Sequence, residues 1–202
     1  MSPDEVVVIF LFSGDTIVHM SLTESNKIEL GMEAPDFSLP DTVSGETFTR
    51  DNVKGEHATV VMFICNHCPY VRHINHEIIN ISKEYMSRGV SFVAISANDA
   101  EAYPQDGPDE MKKTAEKLGY DFPYLYDETQ DIAKAYGASC TPDLFIYDAE
   151  MKLAYHGQLD DSRLENDLPV TGESFRKALN EIIKGEVPKE QIPSIGCSIK
   201  WR

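Results

Sequence analysis

Cys65-Asn66-His67-Cys68 follows the apolar run Thr59-Val60-Val61-Met62-Phe63-Ile64 and precedes Pro69, where a helical pattern begins. A strand that delivers a CxxC to a helix start suits cycling between dithiol and disulfide. The first-turn N–H groups lack intrahelical partners and the helix dipole adds partial positive charge, so a thiolate at Cys65 is expected to be stabilised and its pKa lowered. His67, between the two cysteines, adds charge when protonated and pushes the couple toward the oxidising side. On this reading Cys65 attacks a disulfide and Cys68 resolves the mixed disulfide by closing the Cys65–Cys68 bond.

The same spacing can form half of a zinc site, and His73 and His76 lie just downstream. Cys65 and His76 are eleven residues apart along one expected helix, roughly 16 Å of rise, too far for one ion to collect both. Cys140 and Cys197 supply no second CxxC spacing. Neither a metal nor a cofactor is expected. Asn98, Asp99, Glu101, Asp106, Asp109 and Glu110 offer oxygens, but their spacing matches no calcium loop. That segment reads as a structural or substrate-gating loop.

Positioning these residues requires a scaffold, and the apolar pattern supplies one. Residues 31–49 read as a short hairpin, 57–64 as a buried strand and 68–88 as a helix stopped by Gly89. Strands follow at 91–96, 123–126, 143–147 and 152–156, with helices at 110–118, 129–136 and 172–184. Strands alternating with helices and a closing hairpin imply an α/β mixed central sheet flanked by helices. At 202 residues the chain fits one main domain over 29–186, with an N-terminal extension over 1–28 and a C-terminal tail over 187–202. Residues 1–19 read either as an extension beyond the natural start or as an edge strand. Trp201 is expected to pack the tail against the body and hold Cys197 near the sheet.

Eighteen Lys and Arg against 34 Asp and Glu give a net charge of −16, which argues against nucleic acid and anionic membrane surfaces as partners. The run Val6–Phe12 is too short to span a bilayer and follows Asp4 and Glu5, not a basic segment. Four cysteines in this length do not make a disulfide-stapled scaffold. A cytoplasmic location is expected.

Pro142, in Ser139-Cys140-Thr141-Pro142-Asp143, opens a strand although proline cannot donate to a sheet ladder. Strand-CxxC-helix followed by X-Pro-strand-turn-strand-helix is the order of the thioredoxin fold, and Pro142 resembles that family's cis-proline. The resemblance covers residues 29–202 and is closer to the peroxiredoxin-like branch, the alkyl hydroperoxide reductase/thiol-specific antioxidant and redoxin group. It rests on Gly31-Met32-Glu33-Ala34-Pro35-Asp36-Phe37, on Met62 through Val71, on Ala102-Tyr103-Pro104, on Gly157 through Arg163 and on Gly196 through Trp201. It implies that Thr141 lies beside the redox cysteines, its backbone free to pair with an extended substrate. The implied activity is thiol-disulfide exchange with a disulfide-containing protein or small thiol, recycled by a separate reductant, in a monomer or homodimer.

Two alternatives differ in class. A peroxidase would work through Cys68 and need a positioned arginine, for which Arg50, Arg72 and Arg163 are candidates. In that reading Cys65 occupies the position of the peroxide-holding threonine. A redox-sensing binding protein would form the disulfide without turnover. Cys140, beside the proline, and Cys197, on the tail, form a candidate second redox pair; the plainer account is buried packing for Cys140 and an unpaired Cys197. The family's buried acid before the CxxC is missing, since no acid occurs between Ala58 and Ile64.

Overall fold

The computed structural model describes the backbone of residues 6–10 and 18–202, and side chains from Leu22 onward. The expectation for residues 1–19 therefore falls largely outside the described residues. The strands are β1 (Val6–Phe10), β2 (Val18–Glu24), β3 (Ser38–Pro40), β4 (Thr47–Thr49), β5 (Ala58–Phe63), β6 (Val90–Ser96), β7 (Tyr124–Tyr126), β8 (Cys140–Thr141), β9 (Asp143–Asp148), β10 (Leu153–His156) and β11 (Ile195–Ser198). The helices are α1 (Pro69–Met86), α2 (Pro108–Leu118), α3 (Asp131–Tyr136) and α4 (Glu173–Ile183).

The central sheet runs β10-β9-β5-β6-β7. β5 pairs parallel with β6 and antiparallel with β9. Every residue of β5 is buried, because helices cover both sheet faces and a strand covered on both sides reads as one apolar run. Alternation divides its side chains. Val60 and Met62 join Val71, Ile74, Ile78 and Ile81 of α1 and Phe175 and Leu179 of α4. Val61 and Phe63 face the other way, onto Phe37, Phe145 and Tyr136 of α3. This is the thioredoxin-like α/β fold. The short hairpin is β3–β4, with Ser38 opposite Thr49.

α1 begins where Pro69 can open a helix, since its missing N–H would be unpaired there in any case. The loop after β6 is less irregular than its Asp and Pro content suggests. It closes in a 3-10 turn, Pro104–Asp106, and α2 starts at Pro108, ahead of the expected residue 110.

The larger difference lies at the chain ends. The tail contains a strand, β11, in a second sheet of order β1-β2-β11-β8. Its sequence, Ile195-Gly196-Cys197-Ser198, is too short and too poor in apolar residues to announce itself, and its partners lie far away in the chain. Trp201 is 42% exposed, with the Lys134 ammonium 5.8 Å from its ring centroid, so it is not the packed anchor expected of it. β11 is held by pairing instead. Among the described residues no helix is long and apolar enough to cross a membrane.

Candidate redox site

The C-terminal ends of the parallel strands β5 and β6 bring two loops together, and the CxxC lies on the first. Cys68 is the N-cap of α1, while Cys65 sits three residues before it. All four cysteines are free thiols and all are buried. The second loop contributes Asp106, whose carboxylate is fully buried. Its Oδ1 accepts from the backbone N–H groups of Asn66 (2.8 Å) and His67 (3.1 Å). Its Oδ2 accepts from Asn98 Nδ2 at 2.8 Å and is hydrogen-bonded to His67 Nδ1. Asn66 Nδ2 donates to Gln105 O at 2.8 Å. One carboxylate thus fixes the CxxC backbone and the His67 ring together. That ring stacks on Tyr103 with centroids 5.2 Å apart.

Thr141 closes the opposite side. Its hydroxyl lies 3.4 Å from Cys65 Sγ and its carbonyl oxygen 3.0 Å from Cys68 Sγ. The Thr141–Pro142 peptide bond is cis. The Thr141 backbone is not free, however: β11 pairs antiparallel with β8, Cys197 opposite Thr141 and Ser198 opposite Cys140. The edge that the resemblance left open to an extended substrate is occupied by the chain's own tail.

That pairing carries Cys197 Sγ to 2.8 Å from Cys68 Sγ. Cys140 Sγ faces the Pro142 carbonyl oxygen at 3.5 Å instead. The expected Cys140–Cys197 pairing therefore gives way to a contact between Cys197 and Cys68. In an antiparallel pair, residues directly opposite present their side chains on the same face. Cys197 is opposite Thr141, whose side chain meets the CxxC, and Cys140 belongs to the other face.

The thiols differ in ionisation. Burial pushes Cys65 well above the ordinary thiol value, aided by its contact with Cys68 and by the Asp106 carboxylate. Burial alone would raise Cys68 as well, but donation from Cys197, Cys65, the Val71 N–H of the first helical turn and Thr141 holds it well below. The helix start therefore acts on Cys68, its own N-cap, and not on Cys65 as the sequence suggested. Burial, and then the charge of Asp143, raise Cys140.

The remaining candidates lie elsewhere. His73 is half-buried, with Nε2 2.8 Å from Ser162 Oγ, and His76 is exposed beside Asn80. Arg50 pairs with Glu33 and Asp36, Arg163 bonds Gln158 and the Asp160 carbonyl, and Arg72 is exposed on α1. None of these arginines is seen against a cysteine. Cys65, His67 and Asp106 offer three ligand atoms within 4.8 Å of one another, but both Asp106 oxygens already accept hydrogen bonds. A cleft of about 900 Å³ between α4 and the loops at 160–171 and 186–192 contains no cysteine.

Asp106 belongs to the loop expected to be structural or substrate-gating, and the sequence does not single it out as a partner of the CxxC. It supplies an acid beside the CxxC from a different element, and only a fold that juxtaposes the ends of β5 and β6 reveals it. Residues 30–156 match the AhpC/TSA family. The chain belongs to that family. A structure of an uncharacterized conserved protein from Geobacillus kaustophilus is 56% identical, with a TM-score of 0.90 over 92% of this AhpC/TSA chain and 98% of that one. Thiol-disulfide oxidoreductase ResA of Geobacillus thermodenitrificans is 26% identical over 73% of this chain and 81% of the relative. The thioredoxin domain of a thiol-disulfide oxidoreductase from Bacteroides vulgatus superposes with a TM-score of 0.59 at 17% identity, covering 76% of this chain and all of that domain, a likeness of fold.

Proposed function

We propose that this AhpC/TSA-family chain is a thiol-disulfide oxidoreductase whose working dithiol is Cys65–Cys68. The observation that carries the reading is the pair of CxxC thiols at the start of α1, in mutual contact and both facing Thr141. The names of the ResA relatives support it.

Exchange needs a thiolate, and the lowest-lying one is on Cys68, with the Cys65 thiol against it. As Cys65 attacks a substrate disulfide, its proton passes to Cys68, a mixed disulfide forms on Cys65 and one substrate thiolate leaves. Cys68 then gives up its proton to that thiolate and attacks Cys65 Sγ. The second substrate sulfur departs as a thiolate, takes a proton from solvent water, and the Cys65–Cys68 disulfide closes. One thiol, one thiolate, one proton from solvent and one disulfide become one disulfide and two thiols, and a separate thiol reductant reverses the change. His67, whose side chain keeps 17% exposure with the buried Asp106 behind it, marks the side from which substrate approaches, since β11 covers the Thr141 edge.

The test offers reduced protein a model disulfide in one tube and hydrogen peroxide in another, with Cys65→Ser and Cys68→Ser alongside wild type. Disulfide turnover in wild type that falls to background in Cys65→Ser is expected. Peroxide consumption that survives Cys65→Ser but not Cys68→Ser would replace exchange with peroxidase chemistry. Silence in both tubes would leave a sensor or a structural module.

A further inference from the structure

Backbone pairing of β11 with β8 brings Cys197 to the redox centre. Three observations coincide. Its Sγ is 2.8 Å from Cys68 Sγ, while a disulfide measures about 2.0 Å, so bonding needs a shift of under an ångström. β11 takes the antiparallel position beside Thr141 that an extended substrate would take. Gly196, the residue before Cys197, permits this approach: a Cβ there would lie 2.1 Å from the Thr141 carbonyl oxygen and 3.1 Å from Pro142 Cδ.

The strand is also held in place. On its other side it pairs with β2, Cys197 opposite Leu22 and Ile195 opposite Glu24. The Ser194 hydroxyl donates to the Gly157 carbonyl oxygen at 2.8 Å, and the Lys200 N–H to Asn98 Oδ1 at 2.8 Å. Asn98 also donates to Asp106, so the tail and the CxxC loop share a bracket. Cys197 is therefore a fixed neighbour of Cys68 and not the end of a swinging arm.

We propose that Cys197 is a third redox cysteine, presented to Cys68 by β11 as a built-in substrate, which takes over the disulfide first formed between Cys65 and Cys68. This rests on the exchange reading above and extends it. In the step, Cys197 Sγ bonds to Cys68 Sγ, the Cys65–Cys68 bond breaks, and the proton lost by Cys197 ends on Cys65. The disulfide stays within the trio, so no outside oxidant or reductant takes part. Contact with Cys68 and burial hold the Cys197 thiol up, while the Lys200 ammonium opposes them and eases negative charge at that sulfur. The product leaves Cys65 free as a thiol although the protein is oxidised.

The test is disulfide mapping. Wild type, Cys197→Ser and Cys65→Ser are oxidised with one equivalent of a small-molecule disulfide, quenched in acid, blocked with N-ethylmaleimide, digested without reductant and analysed by mass spectrometry. Wild type is expected to contain the Cys68–Cys197 link within about tenfold of the Cys65–Cys68 link, Cys65→Ser to close Cys68–Cys197, and Cys197→Ser to hold Cys65–Cys68 alone. Wild type with only Cys65–Cys68, or Cys65→Ser that stays fully alkylated, overturns the relay and leaves the exchange reading standing. Cys197→Ser without a Cys65–Cys68 link removes the exchange reading, and the relay with it. The wild-type map decides even where a variant folds poorly.

Discussion

Two histidine–aspartate pairs flank the cysteines, and they are built for different ends. His156 Nε2 lies 2.7 Å from Asp143 Oδ1 with both side chains sealed, at 4% and 0% exposure. The ring stacks on Phe145 with centroids 4.2 Å apart, and Asp143 Oδ2 accepts the Ser139 N–H. This pair ties β9 to β10 and braces the turn that carries Thr141. His67 and Asp106 belong to two loops and keep the histidine partly open. A polar pair locked inside a sheet specifies geometry, whereas one carried on loops with an open edge can meet a substrate.

The comparison can be broken at four points. Asp143→Ala should cost most in stability, about 3 kcal/mol, because His156 and the Ser139 N–H lose a buried acceptor. For a chain of this size that is a melting point lower by roughly 10 °C in a thermal scan, with exchange per folded molecule nearly unchanged. Loss of exchange without loss of melting temperature would place this pair in the chemistry. Asp106→Ala should show the reverse emphasis: turnover of a model disulfide down roughly 30-fold, about 2 kcal/mol of barrier, and a smaller thermal shift. Equal turnover would mean that the CxxC loop holds its shape without the carboxylate.

His67→Ala should reduce turnover by about tenfold, less than the roughly hundredfold or more that a full general acid–base role contributes, leaving Asp106 to hold the loop through the Asn66 and His67 N–H groups. A decrease as large as that of Asp106→Ala would make the imidazole, and not the loop geometry, the main product of the pair. The smallest effect is spectroscopic. Since Cys68 lies below the ordinary thiol value of 9.0, its ionised form persists as pH falls past 9. Thiolate absorbance near 240 nm should therefore remain in wild type below that pH. In Cys68→Ser it should appear only above pH 9, because burial raises Cys65; absorbance below pH 9 in that variant would return the low-lying thiolate to Cys65.

Legibility in the sequence followed the range of the interactions. β5 and α1 were readable because their signals are local: an uninterrupted apolar run, Pro69 at a helix start, apolar residues at helical spacing and Gly89 after the last turn. The CxxC was readable for the same reason. Asp106 was not, because its partner His67 is 39 residues away and its loop resembles any Asp- and Pro-rich connection. β8 and β11 escaped because each is short and neither has apolar periodicity; each exists through pairing with distant chain. The lowered thiol was assigned to Cys65 from motif order, but the helix cap falls on Cys68, and a cap feels the end of a helix more strongly than a residue one turn outside it.

The contact between Cys68 and Cys197 joins positions 129 residues apart. A bond between Cys65 and Cys68 closes only a tiny ring and restricts the unfolded chain far less than a long loop would. One between Cys68 and Cys197 would close a loop of most of the protein, and in the chain-entropy picture removes about 5 kcal/mol of disorder from the unfolded state. The same oxidation level would then exist in two forms, one mechanically silent and one that staples the tail to the head of α1. A thermal scan would tell them apart.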